Sequence, residues 1–119
     1  MRRLSLIAIL PLLLWLGAPT VVGAHAMLDH AEPRVGNKVA SPPREVTLWF
    51  TQKLESAFSS ITVTNANAER VDSGKPRISG NQISVSLRPG GAGTYHVNWK
   101  VLSVDTHRTE GSFTFHVGQ

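Results

Sequence analysis

Asp105 and His107 stand one residue apart in the run Ser103-Val104-Asp105-Thr106-His107, and a carboxylate so close to an imidazole is a pair that can hold a metal ion. On an extended segment, residues i and i+2 face the same way. A rise of about 3.3 Å per residue then leaves their backbones roughly 6.5–7 Å apart, so both side chains can reach one ion. Near the other end lies His25. If the chain is cut just ahead of it, one residue supplies a free α-amine and an imidazole nitrogen that close a chelate ring on a metal. Amine, two imidazoles and a carboxylate form a nitrogen-and-oxygen set that suits the tetragonal preference of copper(II), and the Irving–Williams order favours that ion; zinc remains compatible. Taken singly, each element has an ordinary explanation, because a histidine can merely adjoin a cleavage site and Asp-x-His recurs by chance. The combination is what points to a metal.

The cut that exposes His25 is written in the first two dozen residues. Arg2 and Arg3 precede an apolar run from Leu4 to Leu16 broken only by Ser5 and Pro11, the charged-then-apolar order of a secretory signal. Gly17 to Ala24 relax into small and helix-breaking residues, with Val22 and Ala24 at the two positions a signal peptidase reads. The run is well short of the roughly 20 residues needed to cross a bilayer. Residues 1–24 are therefore expected to be a cleaved signal peptide and residues 25–119 a single small domain exported across an inner membrane. Removing Arg2 and Arg3 from the twelve basic side chains leaves ten against eight acidic ones. Those ten are scattered rather than clustered, so nucleic acid is not an expected partner. The chain has no cysteine, which excludes disulfides and thiolate sites and leaves nitrogen, oxygen or thioether to hold any metal.

The other histidines and the tryptophans have plainer roles. His96 and His116 occupy the polar phase of their strands and are expected on the surface. His30, five residues past His25, is expected as a plain residue of a loop or strand end rather than as a guard of the site. Trp49 falls on the phase opposite Phe50 and suits a second apolar cluster or a shield for the metal, whereas Trp99 shares the main core phase.

The elements that must position these residues are strands. Val46, Leu48 and Phe50 alternate with Thr47 and Thr51; Ile61 and Val63 repeat the pattern; Ile83, Val85 and Leu87 alternate with Ser84, Ser86 and Arg88. Tyr95, Val97, Trp99 and Val101 form the longest run, and Phe113, Phe115 and Val117 the last. Turn formers separate the runs: Ser41-Pro42-Pro43, Asn65 with Asn67, Ser73-Gly74, Ser79-Gly80-Asn81 and Pro89-Gly90-Gly91. Leu54 to Phe58 allow a short helical turn. About seven short strands predict an all-β, immunoglobulin-like antiparallel sandwich or barrel with Greek-key connections, since each sheet buries its apolar face only against another.

Matched positions along the whole mature chain resemble the periplasmic copper-resistance proteins of the CopC type. They are His25-Ala26-x-Leu28, Glu32-Pro33-x-x-Gly36, Val46-x-Leu48-x-Phe50, and above all Gly93-Thr94-Tyr95-x-Val97-x-Trp99-x-Val101-x-Ser103-x-Asp105-x-His107 followed by Gly111-Ser112-Phe113-x-Phe115-x-Val117. The resemblance implies a Greek-key β-barrel or sandwich, with His25, Asp105 and His107 as copper(II) ligands. It also implies a monomer that works in the periplasm alongside an inner-membrane copper transporter of the CopD type. Two departures matter. Some relatives carry an acidic residue just after the first core strand, where this chain has Gln52, a neutral amide and a poor copper ligand. Others hold copper(I) in a methionine-rich loop, whereas residues 57–93 here contain no Met and Met27 is alone in the mature chain, so no dedicated copper(I) site is expected.

Two classes of function fit these residues. One is a non-catalytic carrier or buffer that hands copper(II) to a membrane importer or sequesters it. The other is a histidine-brace copper oxygenase acting on polysaccharide. An oxygenase must cycle through copper(I) with positions open for oxygen, while a carboxylate such as Asp105 favours copper(II) and fills the equatorial plane. So small a domain also has little surface for a polymer-binding platform. The carrier is the expected reading, and the protein is not expected to be an enzyme.

Overall fold

The computed structural model describes residues 26–118. They form eight strands: β1 (Leu28–Glu32), β2 (Lys38–Val39), β3 (Glu45–Phe50), β4 (Ser60–Thr64), β5 (Asp72–Ser79), β6 (Gln82–Leu87), β7 (Gly93–Leu102) and β8 (Arg108–Val117). A single turn of 3-10 helix at Ser56–Phe58 lies where the sequence allows one. The strands make two four-stranded sheets, ordered β1-β3-β6-β5 and β2-β8-β7-β4. The chain crosses between sheets at most of its connections, as a Greek-key sandwich requires. All neighbours are antiparallel except β2, which runs parallel to β8 with Lys38 opposite His116.

The alternation read from the sequence sets the core. Val46, Leu48 and Phe50 from β3, Ile83 and Val85 from β6, Ile61 and Val63 from β4, and the inward residues of β7 and β8 form one buried cluster. The sheets meet where the Phe50 ring stands edge-on to Trp99, centroids 5.0 Å apart at 74°. A ring pair of this geometry adds about 0.5–1.5 kcal/mol beyond the area it buries. Trp99 lies over Gly111, its partner on β8. A Cβ at Gly111 would come within 2.5 Å of the indole, so the close approach of ring and backbone needs glycine. At the far end of β7, the Tyr95 hydroxyl donates to the Gly91 carbonyl at 2.8 Å and ties down the Gly-rich loop that enters the strand.

Three features depart from the alternation. Ser73-Gly74 marks no turn: it sits inside β5, where the register against β6 shifts between Ser73 and Arg77 and Gly74 takes φ +77°. A bulge and a chain reversal use the same residue types, so the composition alone does not separate them. The outer face of the first sheet also buries polar groups, since Thr47 and Ser84 bond to each other across β3 and β6 at 2.9 Å. Finally, buried Asp72 accepts the Val63 amide at 2.9 Å and both arms of the Arg70 guanidinium at 2.9 and 2.6 Å, pinning β5 to β4.

Candidate metal centre

β7 and β8 are joined by Ser103–His107, and this connection is a tight turn rather than the extended segment expected from the spacing. The Ser103 amide donates to the His107 carbonyl at 3.0 Å, and the Thr106 amide donates to the Ser103 carbonyl at 2.8 Å. Thr106 takes φ +71°. For a β-branched residue that is an outlier of the kind stored at functional sites, at a cost of order 1–3 kcal/mol. The reversal brings Asp105 and His107 together by a different route from the one predicted: Asp105 Oδ1 and His107 Nδ1 are 3.2 Å apart, both side chains open to solvent.

Ser103 anchors the pair. It is completely buried, and its hydroxyl donates to the same Asp105 Oδ1 that meets the imidazole. The Ser103 hydroxyl first, then the bond and charge of His107, hold the Asp105 carboxyl below the usual carboxylate range against an opposing effect of desolvation. Asp105 is therefore an anion at neutral pH, the form that ligates a metal. In the sequence, Ser103 stands out only as part of the run that ends at His107. A polar residue continuing the apolar phase of Tyr95, Val97, Trp99 and Val101, two positions before Asp105, is the signal that could have marked it.

The start of the described chain lies against this hairpin. Ala26 is fully buried, and its carbonyl accepts the Thr109 hydroxyl at 2.7 Å, 83 positions along the sequence and two residues past His107. Met27 exchanges two bonds with Thr51, its amide donating to Thr51 Oγ1 and its carbonyl accepting the Thr51 amide, both at 2.9 Å. His25, covalently next to Ala26, lies outside the described residues, as do residues 1–24 with their expected cleavage site. Gln52, half-buried, follows Thr51 at the same end of the sandwich.

His96 and His116 stand apart from the pair. His96 is exposed on β7, six residues from the end of the strand, and His116 bonds Thr94 through Nδ1 at 3.0 Å, opposite a β7 residue eight positions from that end. At about 3.3 Å per residue these lie roughly 20 and 26 Å along the ladder from the hairpin, too far to share an ion with His107. His30, on β1, bonds Asp29 at 2.7 Å, and its ring lies flat on Trp49, centroids 4.4 Å apart at 6°. Trp49, half-buried, thus packs on an imidazole rather than in an apolar cluster. Among the described residues no group of three or more His, Cys, Asp or Glu is placed to hold an ion, and Asp105 and His107 stand as a pair.

An all-β sandwich that presents a carboxylate–imidazole pair on one hairpin defines a class, and comparison with known proteins gives the family. Residues 28–118 match the CopC domain, and the chain belongs to that family. It is 37% identical over 103 residues to protein YobA of Escherichia coli (strain K12), covering 81% of each chain. It is 29% identical over 105 residues to the copper transport protein CutJ of Bacillus subtilis, covering 85% of this chain and 19% of that one. Among solved structures it resembles CopC from Methylosinus trichosporium OB3b, with a TM-score of 0.73 and 29% identity over 79% of this chain and 94% of that one. It also resembles PcoC, a methionine-rich copper resistance protein from Escherichia coli, with a TM-score of 0.70 and 31% identity over 79% and 99%. The function is copper-related, and copper is the ion the family handles.

Proposed function

We propose that this protein is a periplasmic carrier or buffer of copper(II), with one site built from the amine and imidazole of a processed N-terminal His25 together with Asp105 and His107. The observation that carries this reading is the bond from Thr109 to the Ala26 carbonyl, which ties the residue after His25 to the strand that begins directly after His107. The Asp105 anion supplies a hard oxygen donor, and the imidazoles and amine supply nitrogens, a set matched to copper(II) rather than copper(I). With Met27 alone in the mature chain, the protein lacks the thioether cluster that copper(I) would favour. The reading also takes residues 1–24 to be a secretory signal cut after Ala24, and the protein to be a non-catalytic monomer. Because the match to CutJ spans only 19% of that copper transport protein, a domain of this kind there is a small part of a larger transport chain. That supports delivery to an inner-membrane transporter of the CopD type.

The test is a copper(II) competition titration on two forms, one beginning at His25 and one carrying a single extra alanine ahead of it. The extra residue turns the amine into an amide and opens the chelate, so the extended form should bind far more weakly. Equal affinity would refute the N-terminal site.

A further inference from the structure

Ala26 and Met27 precede β1 and belong to no strand, yet both are held by hydrogen bonds to distant parts of the chain. The Ala26 methyl is part of the core cluster, and its carbonyl is held by Thr109. The Met27 amide and carbonyl are both bonded to Thr51, at the end of β3, although the Met27 side chain is 60% exposed. The segment is therefore held by its backbone and by the buried Ala26 methyl, while the Met27 side chain is left in water. Thr109 lies in β8 of one sheet and Thr51 directly follows β3 of the other, so the segment is gripped from both sides of the sandwich mouth.

We infer that Ala26, Thr51 and Thr109 are positioning residues that form a ruler for the N-terminus, holding the second and third residues of the processed chain so that one residue extends past the grip. This rests on the reading of His25 as the processed N-terminal ligand. The ruler acts before copper arrives: a free tail would lose backbone freedom when its amine and imidazole closed on the ion, whereas a gripped one has already lost it on folding. It also sets a length. A chain cut one residue later would begin inside the grip, with its amine at the buried position, and a chain cut one residue earlier would present an amide where the amine belongs. The small Ala26 side chain is part of the device, because a larger one in a fully packed socket would push the segment out.

The test uses the mature chain and two substitutions of nearly unchanged shape. Thr109→Val keeps the methyl and removes the hydroxyl, and Thr109→Ser keeps the hydroxyl. Thr109→Val should weaken copper(II) binding about tenfold, equivalent to about 1.4 kcal/mol. In the copper-free protein it should speed hydrogen exchange at the Met27 amide while the Val97 amide in mid-β7 stays protected, and Thr109→Ser should restore both. A purely structural role would slow or speed exchange throughout the sandwich and would leave affinity per folded molecule unchanged. Thr51→Val, acting from the segment after β3, should reproduce the loss independently. Parental affinity in both valine variants, while His107→Ala loses binding, overturns the ruler and leaves the copper site standing. Parental affinity in His107→Ala overturns the copper reading itself, and the ruler with it.

Discussion

Asp105 and His107 meet through a turn that neither residue dictates. The Asp-x-His spacing was legible because both residue types carry chemistry and stand one residue apart. Their route to each other was not, since it depends on the left-handed Thr106 and on the Ser103 hydroxyl, and nothing in a β-branched residue announces φ +71°. His107→Ala should lower copper(II) affinity strongly, while His96→Ala and His116→Ala, roughly 20 Å or more along the ladder, should leave it near the parental value. Equal losses in all three, read by competition titration, would mean scattered surface binding. Ser103→Ala removes the buried donor to Asp105 and should cost about 1 kcal/mol of stability. It should also let the carboxyl titrate nearer its ordinary range, which carbon-detected NMR of the Asp105 carboxylate would follow.

At the scale of elements, the five strands with clean alternation were all legible, because period-two burial is written directly into apolar and polar residues. β5 was not, since its bulge at Gly74 uses the vocabulary of a turn, and β2 is too short to show a period. Asp72 holds β5 to β4. Burial alone would raise its carboxyl, but the Arg70 guanidinium and the Val63 amide outweigh that and hold it below the usual range. A carboxyl depressed on folding adds stability above its unfolded pKa of about 3.9, and that stability is lost as the pH falls through the folded value. The unfolding midpoint should therefore drop as the pH goes below about 4. Asp72→Asn should cost about 1.5–3 kcal/mol at neutral pH, and its acid dependence should be shallower than the parent's, with Asp105 supplying part of what is left. A variant with the parental acid slope would assign that slope elsewhere. Gly111→Ala forces a methyl against the Trp99 indole and should cost about 1–3 kcal/mol, measured by urea unfolding.

Across the whole molecule, the sandwich brings two remote stretches of chain to one end: the residues just after His25, and the β7–β8 hairpin. That convergence gives the copper reading its physical basis, because family membership alone leaves the ligands unassigned. The sequence hinted at it through His25 and the Asp-x-His pair, but the hydrogen bond that joins the two stretches comes from Thr109, an ordinary threonine in an ordinary strand position. The measurement that tests the account most directly is an electron paramagnetic resonance spectrum of the copper(II)-loaded chain beginning at His25, set beside that of the same chain with one alanine ahead. The account predicts couplings from the amine and both imidazole nitrogens in the first, and loss of the amine coupling with a changed spectrum in the second. Identical spectra from the two forms would contradict it.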